Sequence, residues 1–276
     1  MHIIAAIVLI LATTAIAQRE QPQKDTSSST ASSSGCPAVW QDVASGLSRI
    51  FRGCNDPARG AIRAPFHDCI NNGCDGSLIL GGECSRREDA GLLPTCNMLG
   101  NMAKQYNVGT ADMIQFAASF AIATCPLGPQ VRALVGRKDS STPAPEGGVP
   151  GSRDPIPKIL AAFAAVGMST TDTVALVGAH TAARQLFDDP SQAGKTLDTI
   201  PSRWDVTFYQ ETKAGTAPYS LSSDRRMTND SQTSSIWDRF AGSQEAWNSA
   251  FTSAFERFTV VGNDVSSLQD CSSLLP

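Results

Sequence analysis

The chain has 276 residues, 41% of them hydrophobic and 17% charged, with a formal net charge of −4. That length can bury one sizeable core. The acidic balance and the lack of any useful Lys/Arg cluster exclude a nucleic acid as partner, and no apolar run, the one at the start included, is long enough to cross a membrane.

In chain order, residues 3 to 16 form a short apolar run ending in small residues, with Ala15 and Ala17 ahead of Gln18. This predicts a signal peptide over 1–17 and secretion to the extracellular space. Residues 18–35 are Ser-, Thr- and Gln-rich and read as a disordered arm. The remainder, 36–276, reads as one domain without internal repeats. Val39, Val43, Leu47, Ile50 and Phe51 recur at helical spacing. Asp56 followed by Pro57 predicts an N-cap and a helix running to about His67. Residues 111 to 124 are apolar nearly all round and stop at Pro126, which predicts a central buried helix. Stretches 137 to 155 and 187 to 221 are rich in Gly, Pro, Ser and Asp and read as loops. Between them Ser169 and Asp172 resemble a capping box ahead of Val174, Val177 and His180. Trp247, Phe251, Phe255 and Phe258 mark a last helix. Strand-like alternation is scarce, so the predicted class is all-α.

Eight cysteines behind a signal peptide imply four disulfides. Counting alone allows about a hundred pairings. Cys69 and Cys74 are near enough in sequence to close a small loop, as are Cys84 and Cys96. No Cys-x-x-Cys pair supports zinc instead.

Of three histidines, His2 falls in the leader, leaving His67 in RAPFHDC and His180 in LVGAHTAAR. Arg63 and His67, four apart, share a helix face. A neutral imidazole beside a fixed guanidinium suits splitting a peroxide: one moves the proton, the other stabilises the charge that develops. Asp68, Gly73, Asp75 and Ser77, with Cys69 and Cys74 flanking a turn, make an oxygen-rich site suited to Ca²⁺ but unlike an EF-hand loop. Thr181, Asp198 and Asp205 could repeat it beside His180.

In these segments and beyond, the chain from Cys36 onward resembles a secreted fungal haem peroxidase of the class II type. The matching segments include IRAPFHDC with GCDGSLIL, ADMIQFAASFAIATCP, LVGAHTAAR, LDTIPSRWDVTFYQET and LSSDRRMTNDSQTSSIWDRFA. The resemblance implies a haem peroxidase domain over 36–276, of ten or more helices in two halves with haem b between them. It makes His67 the distal acid–base, Arg63 its charge-stabilising partner, Phe66 the apolar wall, His180 the axial iron ligand and Asp224 the acid on the proximal imidazole. It implies two calcium ions: a distal one on Asp68, Asn71 through its carbonyl, Gly73, Asp75 and Ser77, and a proximal one on Thr181, Asp198, Ile200, Arg203 and Asp205. It pairs Cys36 with Cys271 and Cys54 with Cys125, beside the two short loops.

Departures from the family pattern narrow the expectation. Ile200 replaces a threonine, which weakens the proximal calcium set, and Asp89 stands where the family has an asparagine bonded to the distal histidine, with Glu83 behind it. Positions matched to the manganese-binding carboxylates are Asn55, Arg59 and Leu186, none acidic. Ala175 replaces the surface tryptophan of lignin-attacking relatives, while Trp40, Trp204, Trp237 and Trp247 read as core. What remains is a monomeric peroxidase using hydrogen peroxide and small phenolic or aromatic reductants. Two rivals stand beside it: a haem-free secreted binding protein on the same scaffold, and a metal-dependent hydrolase using both histidines. Asn229-Asp230-Ser231 is a glycosylation sequon.

Overall fold

The computed structural model describes residues 35–276. The expected signal peptide, 1–17, and all but the last residue of the expected arm, 18–35, lie outside the described residues. The described residues carry eleven α-helices in the order α1 (Val39–Ile50), α2 (Asp56–Asn72), α3 (Ser77–Leu80), α4 (Leu93–Tyr106), α5 (Thr110–Thr124), α6 (Ile156–Ala165), α7 (Thr170–Val177), α8 (Thr207–Ala214), α9 (Ser222–Met227), α10 (Ser234–Ala241) and α11 (Gln244–Phe258). The only sheet among them is a two-residue antiparallel pair, β1 (Leu134–Val135) with β2 (Gln269–Asp270), so the fold is all-α.

α5 is the axis of the first half. Every residue from Thr110 to Ile122 is buried, as an all-round apolar helix requires, and α2 and α4 pack along it. In the second half α11 packs on α7, with Trp247, Phe251, Phe255 and Phe258 turned inward. Trp204 and Trp247 stack at 5.0 Å, and Tyr209 meets Trp237 edge to face at 4.8 Å. All four tryptophans are buried, as their surroundings in sequence predict.

Two boundaries differ from the sequence reading. α2 is capped by Asn55, whose Oδ1 accepts the Ala58 N–H at 3.2 Å, so Asp56 is the first helical residue rather than the cap. The helix also continues past His67 to Asn72, because Asp68, Cys69 and Ile70 are buried and the Cys69–Cys74 bridge sits at its end. The stretch 187 to 221 is not all loop: it contains α8, where Phe208, Tyr209 and Thr212 are buried. The capping box at α7 forms in both directions, Ser169 Oγ accepting from Asp172 N–H and the Asp172 carboxylate accepting from Ser169 N–H. Four disulfides are present, Cys36–Cys271, Cys54–Cys125, Cys69–Cys74 and Cys84–Cys96, and no described cysteine is free.

Candidate active site

A cavity of about 1310 Å³ opens between α2 and the 3-10 turn Gly178–Ala182 that follows α7. Arg63, Phe66 and His67 line it from α2; His180 lines it from the turn. Their placement follows from local sequence: with Asn55 fixing the start of α2, Arg63 and His67 fall one turn apart on a single face. His180 is positioned from behind. A Cβ on Gly178 would collide with Trp247 Nε1 and the Tyr209 hydroxyl, so glycine alone lets this turn seat on the aromatic cluster. That cluster is tied to α7, Tyr209 donating to the Val174 carbonyl at 2.8 Å and Trp247 to the Ala175 carbonyl at 3.0 Å.

Each histidine gives its Nδ1 to a carboxylate. His67 Nδ1 lies 2.7 Å from Asp89 Oδ1, and His180 Nδ1 lies 2.9 Å from Asp224 Oδ2. A carboxylate accepts only, so the ring proton resides on Nδ1 and Nε2 is left as a bare base on the cavity side. Burial, reinforced by the nearby Arg63 charge, holds the His67 imidazole neutral well below its ordinary range. Arg63, which lines the cavity, donates to the Ala90 carbonyl at 3.0 Å. Desolvation lowers its guanidinium to about 10, with Asp89 opposing. Desolvation likewise raises Asp89 to about 6, against the pull of Arg63 and Arg86.

Asp89 changes how the acid behind it is placed. Its Oδ2 is buried without a partner, and Glu83 does not turn toward it. Glu83 instead accepts from the Ala144 N–H at 2.9 Å and from Arg86 at 3.3 Å. An asparagine could accept from the histidine and donate to an acid behind it; an ionised aspartate has no proton to give, and the two carboxylates part.

The proposed calcium donors collect in two places. On the distal side Asp68 and Ser77 are buried, Asp68 accepting from Gly76 N–H at 3.2 Å and Gln115 Nε2 at 3.1 Å. Asp75 accepts the Ser77 N–H at 3.0 Å, and Ser77 Oγ is buried with no partner. Burial, helped by the Asp75 charge, raises the Asp68 carboxyl to about 7. An orphaned hydroxyl beside two carboxylates and backbone carbonyls fits a hard divalent cation. The Asn71 side chain is directed elsewhere, donating to the Pro145 carbonyl, which leaves its main-chain oxygen for such a role. On the proximal side Thr181 Oγ1 donates to Asp198 at 2.6 Å and lies 3.4 Å from the Arg203 carbonyl. Asp205 pairs with Arg203 at 3.3 Å, and Asp198, desolvated and near Asp205, is raised to about 6. Ile200 donates its N–H to Asp198, while its side chain is 43% exposed and offers nothing polar.

A haem also fits the cavity. The walls around Phe66, Leu176, Val177, Met227 and Phe258 are apolar, as a macrocycle face needs, and His180 Nε2 is the donor an axial position needs. Among the described residues no three of His, Cys, Asp and Glu converge as metal ligands, so the hydrolase reading has no site. At the mouth Leu186 is half-exposed, and Arg59 pairs with Asp56. Asp56, the acid at this rim, also pairs with Arg184 at 2.7 Å. Ala175 is fully buried and presents no ring at the surface.

Comparison with known proteins agrees with this geometry. Residues 39–243 match the family model described as Peroxidase. Manganese peroxidase 3 of Phlebia radiata is 32% identical, over 82% of this chain and 73% of its own length. A peroxidase of Arthromyces ramosus is 30% identical, over 90% of this chain and 78% of its own. A low-redox potential peroxidase of Taiwanofungus camphoratus is 34% identical, over 74% of this chain and 67% of its own. The chain therefore belongs to the peroxidase family, as a haem peroxidase of the fungal class II type.

Proposed function

We propose that this chain is a secreted, monomeric peroxidase that reduces hydrogen peroxide to water while taking one electron and one proton from each of two small phenols or aromatic amines. The carrying observation is the pair of imidazoles lining one cavity, each with its Nδ1 held by a carboxylate. When bound, haem b would supply the redox-active iron that the reduction of peroxide needs. His180 would hold that iron through Nε2, and Asp224, by accepting its ring proton, makes the imidazole a stronger donor. His67 Nε2 takes the proton from the near peroxide oxygen and returns it to the departing one, as its neutral state at working pH allows. Arg63 stabilises the charge that grows on the departing oxygen, and Phe66 keeps that side dry. Asp89 holds the His67 ring in the orientation and tautomer this transfer requires.

Two calcium ions complete the reading, on Asp68, Asn71, Gly73, Asp75 and Ser77, and on Thr181, Asp198, Ile200, Arg203 and Asp205. They pin the ends of the two segments that carry the histidines. Small aromatic donors are favoured because Ala175 and the four tryptophans are all buried, and because the acid at the rim is engaged by two arginines. Exposed Asn229 carries a glycan in this reading. The test is an absorption spectrum of protein produced with ample haem: a Soret band that shifts on adding peroxide and returns on adding a phenol is expected. A protein that takes up no haem sinks the reading and revives the binding-protein alternative.

A further inference from the structure

The two His–carboxylate pairs differ in what becomes of the second carboxylate oxygen. Asp89 Oδ2 is buried with no partner, whereas Asp224 has both oxygens engaged. Asp224 Oδ2 takes the ring proton of His180, and Oδ1 accepts the Ser223 hydroxyl at 3.0 Å. Asp224 is 1% exposed, so bulk water is a poor substitute for either donor. What Ser223 does to Oδ1 is therefore passed to Oδ2 and on to the imidazole, because one negative charge is shared between the two oxygens.

The serine is held in place for this bond. Ser223, in the first turn of α9, is buried in the cavity wall, and its backbone N–H donates to the Ser152 carbonyl at 2.7 Å. Ser152 is fixed in turn: its hydroxyl donates to Asp188, which also accepts the Tyr219 hydroxyl. Arg226, further along α9, donates to the Asp154 carbonyl and ties the same loop to the helix. A chain of hydrogen bonds thus runs from the rim at Asp188 through Ser152 and Ser223 to Asp224 and His180.

We infer that Ser223 is a positioning residue that moderates the proximal pair: by donating to Asp224 Oδ1 it limits how far the carboxylate draws the Nδ1 proton from His180. This rests on the peroxidase reading above and names the residue that sets how strongly His180 donates to what it binds. A hydrogen bond to one oxygen of a delocalised carboxylate weakens the other as an acceptor, and in a desolvated site the effect is not diluted by water. The distal pair has no such moderator, since Asp89 Oδ2 is unpartnered. A serine that merely kept the carboxylate in place would leave the opposite signature, because its loss would slacken the bond between Asp224 and His180 instead of tightening it.

The test reads the holoenzyme by resonance Raman spectroscopy and spectroelectrochemistry, not by turnover. Ser223→Ala raises the stretching frequency of the bond between His180 and the ferrous iron and shifts the ferric–ferrous equilibrium about tenfold toward ferric, while Ser223→Thr, which keeps the hydroxyl, restores both. Ser223→Cys, a weak donor of similar size, shows the same changes at smaller amplitude and serves if the alanine variant does not fold. Ser222→Ala, on the same helix but outside the cavity lining, leaves both readings where they are. In an Asp224→Asn background Ser223→Ala adds little, because the acid it acts through is gone. An unchanged or lowered frequency in Ser223→Ala would overturn the proposal, as would an equal shift in the Asp224→Asn background. A protein that takes up no haem would instead remove the peroxidase reading, while the ring N–H resonance of His180 in the full chain still decides on Ser223: a downfield move in Ser223→Ala supports the moderating role, and no move or an upfield one sinks it.

Discussion

The distal and proximal histidines meet the same kind of partner under different conditions. His67 and Asp89 are both sealed, with side-chain exposures of 3% and 1%, whereas His180 shows 33% beside an equally buried Asp224. On the distal side the ring has a cation, Arg63, for company; on the proximal side it has the edge of Phe208 at 5.7 Å. One imidazole is kept neutral and ready to accept a proton, the other is left with an open nitrogen for a ligand bond. The lesson is that a His–carboxylate pair has no fixed function: the neighbouring charge and the access to the cavity decide it.

The comparison breaks most visibly at His67. His67→Ala is expected to slow the reaction with peroxide by about 10²–10⁴-fold in stopped flow, with donor oxidation far less affected. Equal losses in both steps would mean that the distal ring does not move the proton. The two acids sharpen the contrast. Asp224→Asn should lower haem retention or activity by about 10–100-fold, because an amide is a weaker acceptor for the proximal ring proton. Asp89→Asn should change the neutral-pH rate only a few-fold, since the amide oxygen still accepts from Nδ1. Below pH 6 the wild type should decline more steeply than this variant, because Asp89, raised to about 6, protonates there and the amide does not.

The smallest expected effect concerns the two loops proposed to hold calcium. Burial raises Asp68 to about 7 and Asp198 to about 6 from an ordinary value near 3.8. A carboxyl raised on folding adds relative stability below its unfolded value, and that contribution is lost as pH climbs through the folded value. Without a cation the fold is therefore weakest, on this account, above pH 7, where both acids are ionised. A chelator should lower Tm by about 5–10 °C at pH 8 and by much less at pH 5, measured by calorimetry. An equal drop at both values would place the ions elsewhere.

Much of this was legible in the residues themselves, for identifiable reasons. The buried α5 announces itself because an all-round apolar run has no other soluble use, and the Arg63–His67 pair because helical spacing dictates their common face. α8 stayed hidden: eight residues inside a polar, Gly- and Pro-rich stretch give too short a period, and burial of Phe208 and Tyr209 by the rest of the chain stabilises it. The withdrawal of Glu83 from Asp89 could have been foreseen from charge alone, since two adjacent acids cannot share a hydrogen bond without a proton.

The seating of Gly178 against Trp247 and Tyr209 has a mechanical side. Helices in a bundle ordinarily relax by sliding a fraction of an ångström past one another, and such slack would blur the height of anything they carry. Here the turn rests on two rigid aromatic side chains that are themselves bolted to α7 by hydrogen bonds, so it has a backstop. Softening that backstop, even at positions that never touch the cavity, would be felt at His180 as a change in how firmly it presses on whatever it binds.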